Sequence, residues 1–267
     1  MNKKLIWTFT TIFLSLLIFC YFFVYNKNNY PNELQKIKDR GVLLVGTTGD
    51  YKPISYLNPQ TNTYEGFDIE LSKDLAKSLG VQVKYIPTSW PKLTEDTIAG
   101  KFDIAFSGIT ITNDRKKNML MSIGYFDNGK TILCRKEDKN KYTSLKSINN
   151  ANVTIMENPG GLNEKFVREN LPNAKLIIHD INTEIPELIA NGKADVMITE
   201  TVEANYYASI NKKLIAPIAK TPFTKGQFGA LMPNKNKTLQ KHVNKFLKQE
   251  QKSGRIEELS RIYIYNK

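Results

Sequence analysis

Arg115 is the residue whose position asks most plainly for a ligand. It follows Thr112-Asn113-Asp114, where Thr112 has the character of a helix N-cap. A cation in the first turn of a helix opposes the macrodipole, so its presence there points to a bound anion. A guanidinium holds a carboxylate through two parallel hydrogen bonds. The alternative is a surface arginine paired with Asp114 or solvent. A second group is Thr199-Glu200-Thr201-Val202-Glu203. At a helix start this spacing puts Glu200 and Glu203 on one face. Acids at a helix N-terminus are also favourable purely as structure. In Asn158-Pro159-Gly160-Gly161-Leu162-Asn163-Glu164 the paired glycines allow close backbone approach, and free N–H groups at the helix start suit an anion. The same residues also fit an ordinary turn with Pro near a helix start. Tyr51 and Trp90 could wall a flat ring or an aliphatic body, or Trp90 could staple its helix to the sheet.

These residues are placed by an alternation of strands and helices. Val42–Thr47 reads as a buried strand, Gly66–Leu79 as a helix, Val81–Ile86 as a strand, Pro91–Ala99 as a short helix and Phe102–Ser107 as a third strand. The logic repeats with Val153–Met156, Gly160–Asn170, Lys175–His179, Thr183–Ala190, Ala194–Thr199 and the helix Thr201–Ile210. Such βαβ order implies parallel sheets covered by helices. Two extended apolar segments, residues 130–135 and 226–232, join the two units. The expected fold is therefore α/β: two lobes connected by two extended crossovers around a cleft, the layout of a type II periplasmic-binding-protein-like domain. Lobe 1 would comprise about 41–129 and 233–267, and lobe 2 about 136–225. Ligands bind beyond the carboxyl ends of strands in such sheets. That rule selects the residues just after Thr47, Ile86, Ser107, Met156 and Thr199, with Tyr51, Trp90, Thr110, Arg115 and Glu200 among them.

Composition narrows the chemistry. With 41% hydrophobic residues the chain can fill a core. The net charge of +12 falls to +9 without Lys3, Lys4 and Lys27. The lysines are scattered rather than clustered with aromatics, which argues against nucleic acid, while a positive field favours an anionic small molecule. His179 and His242 have no ligand spacing, and no P-loop or dinucleotide fingerprint occurs, so neither a metal nor a cofactor is expected. Cys20 and Cys134 cannot pair across the boundary between the apolar leader and the folded part.

That leader is a basic head, Lys3-Lys4, followed by Leu5–Val24 without a charged residue. Its length suits a helix across a bilayer, and the lysines favour a cytoplasmic start. Tyr25-Asn26-Lys27 offers no small-residue cleavage site, so residues 1–30 read as an uncleaved signal anchor and linker, the alternative being a cleaved signal peptide that leaves the domain soluble. Residues 31–267 would then work outside the cytoplasmic membrane, in the periplasm or at the cell surface.

Gly108-Ile109-Thr110-Ile111-Thr112-Asn113-Asp114-Arg115-Lys116-Lys117 resembles the ligand-carboxylate motif of the family 3 extracellular solute-binding proteins, and the lobe pattern resembles that family over residues 34–265. Gly46–Pro53, Thr88–Pro91, Asn158–Glu164 and Gly192–Ala204 resemble, more narrowly, the cyclohexadienyl dehydratases, exported enzymes of the same fold. The resemblance implies a cofactor-independent lyase that converts prephenate or arogenate to phenylpyruvate or phenylalanine. It implies that Thr110 and Arg115 bind a carboxylate, that Tyr51 and Trp90 wall the ring, and that Gly160 and Gly161 present backbone N–H groups. It further implies that Asn163 orients the substrate and that Glu203 is the general acid. Ser107 would border the same pocket. Glu200 stands where the family usually has aspartate, and Leu162 replaces a usual threonine. The family also implies a second role, the amino-acid receptor of an ABC importer. In that role Glu200 would meet an α-ammonium and a permease would be the partner.

Overall fold

The computed structural model describes residues 32–265. In chain order the strands are β1 (Val42–Thr47), β2 (Asp50–Tyr51), β3 (Ser55–Asn58), β4 (Thr63–Glu65), β5 (Gln82–Pro87), β6 (Ile104–Ala105), β7 (Met119–Met121), β8 (Phe126–Asn128), β9 (Lys130–Arg135), β10 (Thr154–Glu157), β11 (Lys175–Ile178), β12 (Val196–Glu200), β13 (Leu214–Ile215), β14 (Gly226–Phe228) and β15 (Leu231–Pro233). They form two five-stranded sheets, ordered β5-β1-β6-β15-β7 and β11-β10-β12-β9-β13. β1 runs parallel to β5 and β6, and β10 parallel to β11 and β12. Two α/β lobes result, each sheet parallel at one side and antiparallel at the other.

The apolar pattern explains the layering. Neighbouring side chains on a strand point to opposite faces. In the second lobe, Leu133 and Met197 join the cluster of Ile185, Ile189, Tyr206 and Tyr207 on one face. Ile132, Cys134, Val196 and Ile198 join Tyr142 and Ile148 on the other. A sheet covered on both faces needs such continuous apolar strands. In the first lobe, Phe67, Leu71, Leu75 and Leu79 recur at helical spacing along the Phe67–Leu79 helix and pack on Leu43 and Val45. The Lys237–Ser253 helix adds Leu239, Val243, Phe246 and Leu247 to the same core.

Two segments differ from their sequence reading. Lys130–Arg135 pairs along its length with β12, from Val196↔Cys134 to Glu200↔Lys130, so it is a strand of the second sheet. The ladder that carries the chain between the sheets is β8 against β14, Asn128↔Gly226 to Phe126↔Phe228. The apolar run alone cannot separate a crossover from a buried strand, because both lack polar side chains. Phe102–Ser107 is a strand only at Ile104–Ala105, since the Asp103 carboxylate takes the Leu44 N–H at 2.8 Å. The Leu5–Val24 run lies outside the described residues. Among those described, no helix is long and apolar enough to cross a membrane.

One buried contact sets the loop that follows β6. The Asp68 carboxylate, fully buried, accepts Gly108 N–H at 2.6 Å and the Tyr125 hydroxyl at 2.8 and 2.9 Å. Burial pushes this acid up to about 7 against those hydrogen bonds. Gly108 has φ +65, and a Cβ there would stand 2.5 Å from Tyr51 Cε1, so glycine is required where the loop crosses the Tyr51 ring.

Candidate active site

The carboxyl ends of the two sheets face each other, and among the described residues the lobes touch at several places, Val202 of the second lobe packing into the core of the first. Tyr51 Oη donates to Glu200 Oε2 at 3.0 Å. Asn182 Nδ2 donates to the Asp50 carbonyl at 3.0 Å. Lys165 and Asp114 pair at 3.2 Å on the surface. Gly160, with φ +76, lies where a Cβ would come within 2.7 Å of Pro91 Cα. Gly160→Ala is therefore expected to prevent full closure. Its KM should rise by roughly tenfold or more, since misplacement of about 1 Å is that costly, and its radius of gyration in solution scattering should stay enlarged when ligand is added. Unchanged KM and normal compaction would refute this.

A small chamber of about 20 Å³ lies between the closely apposed lobes. From the first lobe it is lined by Tyr51, Trp90, Gly108, Thr110 and Arg115. Asn158, Gly161, Leu162, Asn163, Asn182 and Glu200 close the other side. A wider outer cleft continues from it past Gly160, Lys130 and Thr224.

Arg115 lies in the first turn of the Asn113–Asn118 helix, whose cap is Thr112, accepting Arg115 N–H at 3.2 Å. Its guanidinium Nη1 donates to the Thr110 carbonyl at 2.6 Å. Asp114 is engaged by Lys117 and Lys165 instead, and among the described residues no carboxylate lies within ion-pair distance of Arg115. Burial pushes the guanidinium down to about 10, with the charge of Glu200 opposing. A largely buried cation without a paired anion is an anion site.

On the opposite lobe, Glu200 ends β12 and begins the Thr201–Ile210 helix. Lys130 Nζ donates to Glu200 Oε1 at 3.1 Å and also to Asn163 Oδ1. Burial acts to raise the Glu200 carboxyl, but the Lys130 charge and hydrogen bond and the Tyr51 hydroxyl outweigh it and hold it below the ordinary range. Glu203, one turn on, is completely buried. It accepts Asn182 Nδ2 at 2.9 Å and the Thr199 hydroxyl. Burial first, then the charges of Glu200 and Asp50, push this carboxyl well above its usual value, against the two hydrogen bonds. Burial and neighbouring charge thus drive the proton affinities of the two acids apart, Glu203 upward and Glu200 downward, the kind of separation that assigns acid and base roles to paired carboxyls.

The aromatic pair meets edge to face, with Tyr51 and Trp90 centroids 5.9 Å apart at 86°. Trp90 Nε1 donates to Asp50 Oδ1 at 3.1 Å, which fixes the indole plane. Of the residues singled out from sequence, Tyr51, Trp90, Thr110, Arg115, Gly161, Asn163 and Glu200 converge on the chamber. Gly160 borders the outer cleft, and its N–H is taken by Glu164 Oε2 at 2.6 Å. Ser107 does not reach the chamber. Its hydroxyl lies beneath it, within 2.7 Å of both Thr48 Oγ1 and Ser55 Oγ. Glu203 stands one side chain behind the wall, beyond Asn182.

The model of the bacterial extracellular solute-binding proteins, family 3, matches residues 43–266. The chain belongs to that family. Within it, the chain is 38% identical to the cyclohexadienyl dehydratase of Pseudomonas aeruginosa, over 84% of this chain and 82% of that protein. It is 27% identical to the L-cystine-binding protein TcyJ of Escherichia coli K12, over 85% and 84%. The ancestral amino acid-binding protein described as a precursor of cyclohexadienyl dehydratase superposes with a TM-score of 0.80 at 36% identity, covering 87% of this chain and all of that one. An ancestral cyclohexadienyl dehydratase is 46% identical with a TM-score of 0.55, covering 89% and 98%.

Several site residues of this family member were not singled out from the sequence. Lys130 opens an apolar strand, and nothing local distinguishes it from the many surface lysines. Asn182 follows β11 in a connection that carries no recognisable motif. Asn158 belongs to the glycine-pair motif, where Asn163 was chosen instead. Asn163 Oδ1 is occupied by Lys130. The Asn158 amide lines the chamber and makes no side-chain hydrogen bond to a described residue.

Proposed function

We propose that this chain is an exported cyclohexadienyl dehydratase that removes carbon dioxide and water together from prephenate or arogenate. The observation that carries the reading is Glu203, a fully buried carboxyl one turn from Glu200 and one hydrogen bond from the chamber, whose burial favours the form that carries a proton. A receptor for amino acids has no use for such a proton. The similarity to a curated cyclohexadienyl dehydratase supports the same reading.

The ring lies between Trp90 and the Asn158–Gly161 loop. Arg115, with Thr110, holds the side-chain carboxylate of the substrate. The leaving ring hydroxyl takes the place of the Asn182 amide at Glu203. The bond to the ring carboxylate breaks, its electron pair moves through the diene, and the carbon–oxygen bond opposite breaks as Glu203 delivers its proton. The products are carbon dioxide, water and an aromatic ring, and Glu203 recovers a proton from water when the lobes open. Closure strips water from the departing carboxylate, which favours its loss. Asn163 is held by Lys130 and acts on the substrate through the position of that lysine. Residues 5–24 tether the domain to the outer face of the cytoplasmic membrane.

The purified protein incubated with prephenate should form phenylpyruvate, followed by its absorbance in alkali. Absence of turnover together with tight binding of an amino acid would assign the chain to the receptor role instead.

A further inference from the structure

The acid that would greet an amino group in this chamber is already paired. Glu200 lines the chamber, and its two oxygens are engaged by different partners, Lys130 Nζ at 3.1 Å and Tyr51 Oη at 3.0 Å. The side chains of Lys130 and Glu200 are each 10% exposed, so water screens this pair little. We propose that the chamber selects a ligand whose side chain ends in an α-keto acid over the α-amino acid of the same carbon skeleton.

Three observations carry this, and they rest on the site being the ligand chamber described under the proposed function. First, an α-ammonium placed against Glu200 would also stand beside Lys130, and the repulsion cancels most of the attraction. Second, Lys130 already pairs with Glu200, which leaves the Arg115 guanidinium without a paired carboxylate among the described residues. The surplus positive charge suits a ligand with two carboxylates and no ammonium. Third, a keto oxygen needs donors, and these are present. Lys130 spends two of its three N–H bonds on Asn163 and Glu200. The Asn158 amide and the Gly161 N–H make no hydrogen bond to a described residue. An ammonium would leave those donors facing another donor.

The test compares prephenate with arogenate, which differ only by keto and amino groups, and their aromatic products phenylpyruvate and phenylalanine. The wild-type kcat/KM should favour prephenate by about tenfold or more, as expected when one buried charge contact is mismatched. Lys130→Met frees Glu200 and should shift the ratio of the two kcat/KM values toward arogenate by a similar factor, whatever the absolute loss. Lys130→Arg should retain the preference. A wild-type ratio near one, or a ratio unmoved in Lys130→Met, overturns the proposal. Calorimetry with the two products needs neither turnover nor a variant. If neither substrate reacts but phenylpyruvate binds more tightly than phenylalanine, the dehydratase reading fails and the selectivity stands. If phenylalanine binds more tightly, the selectivity fails, whether or not prephenate is turned over.

Discussion

Glu203→Gln is expected to lower kcat on prephenate by roughly 10²- to 10⁴-fold, the range removed with a general acid, while KM changes little. The substitution preserves shape. The glutamine carbonyl can still accept Asn182 Nδ2, and its amide can donate to Thr199 Oγ1 in place of the hydrogen bond that Thr199 now donates. Only the transferable proton is lost, so the loss should fall on kcat. Stability provides an independent check with a defined sign. The Glu203 carboxyl lies well above its ordinary value of 4.5 in the folded protein, so above that value the folded state binds more protons than the unfolded one. Stability then falls as pH rises from the unfolded value toward the folded one. Glutamine carries no such penalty. Glu203→Gln should therefore melt no lower than wild type near pH 6 and progressively higher relative to it toward pH 8, read by thermal denaturation across that window. Retained turnover, or a variant that loses ground with rising pH, would show that Glu203 is ionised in the fold and is not the acid.

The second large effect falls on the anion clamp. Arg115→Met should reduce kcat/KM by roughly 10²- to 10³-fold, as when one member of a buried charged pair is removed. Arg115→Lys keeps the charge but loses the planar fork, and should still lose about tenfold or more. Folding should be nearly unaffected. The guanidinium makes one side-chain hydrogen bond within the protein, to the Thr110 carbonyl at 2.6 Å, and its burial without a carboxylate is itself unfavourable. Steady-state kinetics, with calorimetry of phenylpyruvate binding, separates the two contributions. A change below about threefold would mean that the substrate carboxylate is held elsewhere.

Opposite ends of the chain's information are visible in these two residues. Arg115 could be found from sequence because its signal is local: a capping threonine, a cation where the helix dipole disfavours one, and a strand end just before it. From its residue type and spacing Glu203 was visible only as one of two acids at a helix start, which a structural reading also explains, and the family resemblance was what singled it out. Its distinction from Glu200 comes from Lys130, which lies 70 residues earlier in the chain. No pattern within a helix turn can report a charge delivered by the antiparallel strand alongside. Asn182 is similar, since it joins Glu203 to the Asp50 carbonyl across 132 residues of sequence.

The amino-acid sequence by itself therefore determined the two α/β lobes, the strand ends that meet at the chamber and the guanidinium that lines it. Periodic apolar spacing and helix capping act over a few residues, and a single chain displays them directly. Tertiary structure decided that Lys130–Arg135 belongs to the second sheet, that Ser107 lies beneath the chamber and not in its lining, and that the proton affinity of Glu203 is pushed up while that of Glu200 is pushed down. Those outcomes depend on burial and on electrostatic partners brought together by folding, and proton affinity responds to that surrounding field far more than to the residues on either side.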